Sequence, residues 1–253
     1  MMRMWSVFTA LFSLLSIFSF SPLFAGVPHT VLLLLRIIFT VAAALLLITT
    51  VYMGICRHLF SYTGGHVAAK ILDYVISHLN WNGNGKLLDI GCGSGALTIR
   101  AAKKYPEAEL IGIDYWGAIW SFGKKQCENN AKSERVGQRI KFMRGDAASL
   151  PFPDGSFDAA VSNFVFHEVA TQPDKRLVVK EALRVVKKGG AFAFHDLFLQ
   201  KSLYGDIDEF VEVLKNEGVS EIHFAKSRDE SFIPSILKLP FMLEKIGIIY
   251  GIK

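Results

Sequence analysis

Acidic residues placed after short apolar runs, together with closely spaced glycines, form the clearest chemical pattern in this sequence. The segment KLLDIGCGSG, residues 86–95, is an apolar run followed by three alternating glycines, and a helical pattern begins directly after it. Such glycines let a ligand approach the backbone, and a helix N-terminus favours polar or anionic groups. Asp114 ends a second apolar run, where a carboxylate can accept hydrogen bonds from two ribose hydroxyls. Together these features predict a site for a nucleotide-like ligand.

The elements that must position these residues are the strands of a parallel sheet. Compact apolar runs predict strands at 87–90, 108–113, 140–143, 157–161, 191–197, 221–225 and 248–253. Helical periodicity lies between them, at 66–79, 96–105, 116–130, 177–186 and 206–214. Asp89, Asp114 and Asp146 then close the first three strands. The apolar segment 232–243, interrupted by two prolines, fits either a pair of core helices or a membrane-facing flap.

Five segments occur in the order and spacing of one enzyme family. They are Asp89-Ile-Gly-Cys-Gly-Ser-Gly95, Asp114, Asp146, the LPFPDGSFD run at 150–158 and the ALRVVKKGG run at 182–190. From about residue 84 to about 199 the chain resembles class I S-adenosylmethionine-dependent methyltransferases of the small-molecule and lipid-quinone type. The resemblance implies an α/β fold with a Rossmann-like seven-stranded sheet, helices on both faces, and S-adenosylmethionine as cofactor. It implies no metal.

The resemblance also assigns roles to residues. The glycine loop would lie against the methionine and ribose parts of the cofactor, Asp89 would help hold the methionine ammonium, and Asp114 would bind the ribose. Asp146 with the Ala147 backbone would recognise adenine, and Asn163 would lie beside the methyl-bearing end. The predicted cofactor-binding set is Asp89, Gly91, Cys92, Gly93, Gly95, Asp114, Tyr115, Asp146, Ala147 and Asn163.

Proton transfer is needed only where the methyl acceptor keeps a proton at neutral pH. His167 and Glu168 follow the fourth strand, where acceptors lie in similar enzymes, and they are the predicted acid–base residues. His195 and Asp196, at the end of the fifth strand, are a second pair of candidates. Packing is an alternative role for each histidine. Trp116 and Trp120 fit either an aromatic wall of the site or ordinary packing.

Two apolar stretches precede this region. Residues 4–24 and 31–55 each reach the roughly 20 residues that a transmembrane helix needs, with Arg36 near one end of the second stretch. Arg3 and Arg57 flank them, whereas the link between them contains no lysine or arginine. The positive-inside rule then predicts a two-span membrane anchor at 1–56 and a cytoplasmic methyltransferase domain at 57–253. A cleaved signal peptide is the alternative for the first stretch, and it leaves the domain cytoplasmic as well.

Charge and cysteine content restrict the partners and the compartment. The formal net charge is +5, but the lysines and arginines are dispersed, so an anionic lipid surface explains the charge better than nucleic acid does. Cys56, Cys92 and Cys127 show neither a disulfide framework nor metal-ligand spacing, which is typical of a reducing compartment.

Other function classes remain open from the residues alone. The segment 91–96 also satisfies the Gly-x-Gly-x-x-Ala pattern of NAD-dependent Rossmann oxidoreductases, although that pattern does not require Asp89, Gly95 or Asp146. A membrane protein that binds S-adenosylmethionine without turnover is a second alternative. For the enzyme, the two spans favour an apolar or lipid-like small-molecule acceptor. The sequence does not indicate whether the accepting atom is carbon, oxygen or nitrogen, nor the oligomeric state.

Overall fold

The chain divides into two compact units, Met1–Ala68 and Ala69–Lys253. A computed structural model describes residues 26–117 and 123–253, together with a few isolated positions before residue 26. The domain boundary predicted at residues 56 and 57 stays a prediction.

The first unit contains one long apolar helix, α1, His29–Phe60. Its 32 residues extend about 48 Å at 1.5 Å per residue, which exceeds the hydrocarbon thickness of a bilayer. Arg57 and His58 lie in the last turn, where cations interact favourably with the helix dipole. Among the described residues, α1 is the one helix long and apolar enough to cross a membrane, and it includes the predicted span 31–55. The other predicted span, 4–24, falls outside the described residues apart from isolated positions, so one spanning helix is found and not two.

The second unit is built on a seven-stranded mixed sheet, which confirms the predicted fold class. The strand order is β3-β2-β1-β4-β5-β7-β6. Neighbouring strands from β3 to β5 pair in parallel, whereas β7 is antiparallel to both β5 and β6. The strands are β1 Lys86–Ile90, β2 Glu109–Asp114, β3 Ile140–Arg144, β4 Phe157–Asn163, β5 Val186–Asp196, β6 Glu221–Ala225 and β7 Gly247–Ile252.

Helices cover both faces of this sheet. Side chains of α5 and α7 join one core cluster, and side chains of α2, α3 and α4 join the other. Fully buried strand residues such as Leu87 and Leu88 alternate between the two clusters, as the two-residue period of a strand requires. The helices are α2 Val67–Ser77, α3 Ala96–Lys104, α4 Lys124–Ser133, α5 Lys175–Arg184, α6 Lys201–Tyr204 and α7 Ile207–Asn216. Short 3-10 turns occupy Gly137–Arg139, Phe166–Glu168, Ser227–Asp229 and Ser235–Leu237.

Three predicted elements differ from the structure. The helix predicted over 116–130 is found at Lys124–Ser133, and Trp116 is not helical, because its φ of 44° lies in the left-handed region. Trp120, the other predicted wall tryptophan, lies outside the described residues. The helix predicted to reach residue 186 ends at Arg184, since Val186 pairs with Phe157 as the first residue of β5. The segment 232–243 forms one 3-10 turn rather than two helices, and its apolar residues are divided. Leu237 is fully buried, whereas Phe241 is 72% exposed.

Candidate cofactor and acceptor site

A cavity of about 560 Å³ opens at the carboxyl ends of β1, β2 and β4. This edge of an open α/β sheet is where ligands bind, because the loops diverge there. Apolar side chains and a small number of carboxylates share the wall. The lining residues are Gly91, Gly93, Ile113, Asp114, Tyr115, Trp116, Gly117, Gly145, Asp146, Ala147, Asn163, Phe164, Val165, Glu168, Val169, Ala170 and Thr171.

The glycine loop after β1 has a conformation that only glycine adopts without strain. Gly91 has φ of 72°, and a Cβ built there would lie 2.2 Å from Cγ2 of Val165. Gly93 has φ of 54° and nothing within 4 Å of a built Cβ, so its backbone faces open space. The backbone N–H groups of Gly91 and Cys92 both donate to the Ile113 carbonyl, which ties the loop to β2. The loop therefore offers bare backbone to a ligand at the wall of the cavity.

Asp114 connects the glycine loop to the loop after β2. Its Oδ2 accepts from the Gly93 N–H at 2.8 Å, and its Oδ1 accepts from the Trp116 N–H at 2.7 Å. The Trp116 indole N–H in turn donates to the Gly93 carbonyl at 2.9 Å. Each carboxylate oxygen keeps a second lone pair. Asp114 is thus fixed at the cavity wall and can still accept hydrogen bonds from a ligand.

Asp89 lies behind the loop and does not line the cavity. It is 1% exposed, and its Oδ2 accepts from the Thr98 hydroxyl at 2.5 Å. Its Oδ1 is buried and has no hydrogen-bond partner among the described residues. Burial raises the pKa of Asp89 to about 7. A cationic ligand group that reached Oδ1 would favour the ionised carboxylate, which is a physical reason for an ammonium group to bind here.

The other predicted cofactor-binding residues are divided between the cavity wall and its support. Tyr115, Asp146, Ala147 and Asn163 line the cavity. The Asp146 carboxylate accepts from the Ala148 N–H at 2.9 Å, which fixes its orientation. Cys92 and Gly95 do not line the cavity: Cys92 is buried, and Gly95 precedes the first residue of α3.

The two predicted acid–base residues have different positions although they are adjacent in sequence. Glu168 lines the cavity, whereas His167 does not. Nδ1 of His167 lies 2.7 Å from Oδ1 of Asp196, and Asp196 is fully buried. Burial disfavours the charged imidazole, but the hydrogen bond and charge of Asp196 outweigh it, so the pKa of His167 is raised above its ordinary value. Nε2 of His167 lies 3.5 Å from a carboxylate oxygen of Glu168.

Asp196 organises the wall that contains Glu168. Its Oδ2 accepts from the backbone N–H groups of Val165 and Phe166, and its Oδ1 accepts from that of Leu197. These backbone donors satisfy the buried carboxylate, which fixes the turn after β4. Asp196 therefore supports the site from below and is not itself at the cavity.

His195, the remaining histidine candidate, is 1% exposed and also lies behind the cavity. Its Nδ1 is 2.9 Å from Oδ1 of Asn163. Sequence reasoning missed this contact and the cavity positions Gly117, Val169 and Thr171. The side-by-side register of Asn163 and His195 on β4 and β5 is the signal that identifies the contact, and it requires the strand pairing. The loop residues have no corresponding sequence signal.

These features fit S-adenosylmethionine. The open backbone at Gly93 can contact the cofactor directly. The available lone pairs of Asp114 match a ribose diol, and the unpartnered Oδ1 of Asp89 matches an ammonium group.

Comparison with known proteins gives the same result. The model of a family described as a methyltransferase domain matches residues 88–194. The chain is 34% identical over 105 residues to the ubiquinone/menaquinone biosynthesis C-methyltransferase UbiE of Dinoroseobacter shibae, covering 42% of this chain and 39% of the relative. It is 28% identical over 153 residues to the sterol 24-C-methyltransferase ERG6B of Gibberella zeae, covering 60% and 38%.

A third relative and a solved structure extend the comparison. The chain is 32% identical over 148 residues to the 27-O-demethylrifamycin SV methyltransferase of Amycolatopsis mediterranei, covering 57% of this chain and 50% of the relative. Its fold matches a putative sarcosine dimethylglycine methyltransferase from Galdieria sulphuraria with a TM-score of 0.51 at 17% identity, covering 72% of this chain and 85% of that one.

These matches define the domain rather than the whole protein. The chain spans half or less of the length of these three curated relatives. The matched segment contains the glycine loop, Asp114, Asp146 and Asn163, and therefore most of the cavity wall. Residues 88–194 match the methyltransferase-domain family, and this segment is a class I S-adenosylmethionine-dependent methyltransferase domain.

Proposed function

We propose that this protein is a membrane-anchored S-adenosylmethionine-dependent methyltransferase that acts on a small apolar, lipid-like acceptor. The observation that carries the proposal is the position of the Asp114 carboxylate. It is held between Gly93 and Trp116 at the wall of a cavity whose other residues are largely apolar. A ribose and an apolar acceptor would then share one pocket.

We assign the cofactor contacts as follows. Asp114 accepts from the ribose hydroxyls, and Asp89, which lies behind the loop, helps hold the methionine ammonium through a water that reaches its Oδ1. Asp146 and Ala147 contact the adenine, with Tyr115 at the same wall. The backbone at Gly91 and Gly93 forms the surface on which the methionine part lies, and Cys92 and Gly95 support this loop from behind. Asn163 lies beside the methyl-bearing end.

The cofactor supplies a methyl group activated by a positively charged sulfur. The chain must hold the acceptor in line with that methyl group and exclude water, because positioning accounts for a large share of the rate enhancement in such displacements. Ile113, Val165 and Val169 give this part of the cavity an apolar wall. Glu168 is the group on the wall that can take a proton from an acceptor. His167 orients Glu168 from behind, through its own bond to Asp196.

An apolar acceptor is supported by two further observations. Among the described residues, α1 has the length and hydropathy to cross a bilayer, and its covalent link keeps the second unit within reach of the membrane. The relatives include enzymes named for quinone and sterol methylation. We assign the methyltransferase domain to the cytoplasmic side, because Arg57 lies in the last turn of α1 and Lys70 follows this helix. No nucleic-acid partner is part of this proposal.

The test is methyl transfer from labelled S-adenosylmethionine to total membrane lipids, with the full chain in native membranes. We expect label in an organic-soluble product that mass spectrometry identifies, and strongly reduced label with Asp114→Ala at a cofactor concentration that does not saturate this variant. Cofactor binding without any transfer would support the non-catalytic alternative. Tight NAD binding in place of S-adenosylmethionine would refute the cofactor contacts assigned above.

A further inference from the structure

A buried histidine that has no role in the proposed transfer holds an amide side chain of the cavity wall. Nδ1 of His195 lies 2.9 Å from Oδ1 of Asn163. The two residues are register partners on the adjacent parallel strands β4 and β5. Asn163 lines the cavity, whereas His195 is 1% exposed behind it. His195 is therefore placed to set the orientation of Asn163 without touching a ligand itself.

The proton of His195 can be assigned from its surroundings. Burial lowers the pKa of His195 to about 4, so the imidazole is neutral at pH 7 and carries one proton. A carboxamide oxygen only accepts hydrogen bonds, so the contact with Oδ1 of Asn163 requires this proton on Nδ1. Nε2 then holds a lone pair. This Nε2 atom is buried and has no hydrogen-bond partner among the described residues. The imidazole ring lies edge-on to the ring of Tyr74, with the two ring centroids 6.3 Å apart.

This arrangement leaves the Asn163 amino group available. The Asn163 Oδ1 accepts a hydrogen bond from His195, and no atom of the described residues accepts one from the Asn163 Nδ2. The charged side chains of the wall, Asp114, Asp146 and Glu168, are hydrogen-bond acceptors when ionised. The Trp116 indole N–H is already used by the Gly93 carbonyl. The Asn163 amide is thus a free donor in a wall rich in acceptors.

We propose that neutral His195 orients the Asn163 amide so that its Nδ2–H donates to an oxygen atom of the methyl acceptor. The site then selects an apolar molecule that carries a hydroxyl or carbonyl oxygen over a hydrocarbon of the same shape. His195 is a positioning residue in this scheme, and Asn163 determines specificity. This inference rests on the proposed function, since it assumes that the acceptor occupies this cavity.

The test compares two probes that differ by one oxygen, 1-naphthol and naphthalene. The full chain in detergent micelles is saturated with S-adenosylhomocysteine, and probe binding is measured by equilibrium dialysis after subtracting uptake by protein-free micelles. We expect the wild type to prefer 1-naphthol. Asn163→Leu and His195→Leu should each reduce that preference by about 3- to 10-fold, the effect of one lost hydrogen bond between neutral groups.

Rescue and control variants separate positioning from general structural damage. His195→Asn restores an amide N–H close to the former Nδ1 and should recover the preference. His223→Leu, on the exposed edge strand β6, should leave it unchanged. In nitrogen-15 NMR spectra, His195 should show the tautomer protonated at Nδ1 throughout pH 6 to 8, an expectation that follows from its lowered pKa.

Several results would overturn the inference. The first is a His195 tautomer protonated at Nε2. The second is a wild type that binds 1-naphthol no better than naphthalene, and the third is an Asn163→Leu variant that keeps the wild-type preference for 1-naphthol. If Asn163→Leu instead weakens binding of S-adenosylhomocysteine, the amide serves the cofactor and the inference is wrong. Failure of the proposed function gives different results: the wild type would either not bind S-adenosylhomocysteine, or would bind the cofactor and transfer no methyl group to membrane lipids.

Discussion

Removing the Asp114 carboxylate should weaken cofactor binding and loosen the fold at the same time. Its two oxygens accept from Gly93 and Trp116, so Asp114→Ala leaves two backbone N–H groups without their partner. A hydrogen bond to a charged group contributes roughly 1.5–3 kcal/mol. At the lower value, because the carboxylate is only partly buried, the two bonds account for about 3 kcal/mol of unfolding free energy. For a domain of this size that corresponds to a fall in Tm of about 6–12 °C.

The cofactor affinity should fall separately. Loss of one or two ribose hydrogen bonds, at the same lower value of roughly 1.5 kcal/mol each, predicts S-adenosylmethionine binding weaker by about ten- to a hundredfold. Asp114→Asn keeps one acceptor oxygen, but its NH₂ group then faces the N–H of Gly93 or of Trp116. We therefore expect its affinity to lie between those of the wild type and Asp114→Ala, and its Tm to be no higher than that of Asp114→Ala.

Calorimetric titration and thermal melts on the same samples test both effects. Glu109→Gln is the matched control, because Glu109 is an exposed acid at the other end of β2 and should change neither quantity. Wild-type affinity in Asp114→Ala would refute the ribose assignment. An unchanged Tm would show that the two backbone hydrogen bonds do not hold the loops together.

Three further expectations concern the glycine loop, His167 and the membrane anchor. Gly91→Ala should lower stability by about 1–3 kcal/mol and abolish tight S-adenosylmethionine binding, because its Cβ would lie 2.2 Å from Val165 and φ is positive. Gly123→Ala is the control, because a Cβ there meets open space, and it should leave the Tm unchanged. Equal Tm values for the two variants would contradict the predicted clash at Gly91. The pKa of His167 is raised above 6.5, so its bond to Asp196 stabilises the fold fully below about pH 6.5 and progressively less as pH rises through the raised pKa. Thermal melts from pH 5.5 to 9 should show this loss in the wild type and not in His167→Gln, and parallel curves would exclude it. A reporter fused after Lys253 should be cytoplasmic, and an external reporter would reverse the proposed topology.

The sequence was sufficient to predict the strands, loops and helix starts that depend on the local pattern of residues. The β1 strand, the glycine loop and the start of α3 follow from a short apolar run, three glycines and a helical period, and all three occur as expected. The positions of Asp114 and Asp146 at strand ends follow for the same reason. The seven-stranded order required the family resemblance, since apolar runs alone do not determine which strands are neighbours.

The features that the sequence could not predict depend on contacts between residues that are distant in the chain or on the geometry of a turn. His167 and Glu168 are adjacent in the chain, yet the 3-10 turn at Phe166–Glu168 directs only Glu168 to the cavity. The contact between His195 and Asn163 requires β4 and β5 to be neighbours, although the residues are 32 positions apart. Trp116, predicted as the first residue of a helix, is instead left-handed, because a local hydrogen bond to Asp114 and a long-range hydrogen bond to Gly93 outweigh helical propensity.

The position of β7 between β5 and β6 has a consequence for biosynthesis. β6 precedes β7 in the chain, but it can join the sheet only through β7. The pairing of Ala191 with Ile252 spans 61 positions, so β5 has an open edge while the next sixty residues are translated. Non-local strand pairings of this kind form slowly, and an unpaired edge exposes backbone groups to other chains. A ribosome-bound intermediate that lacks β7 should therefore have a formed nucleotide loop and an incomplete sheet, and at that stage the chain would depend most on chaperones.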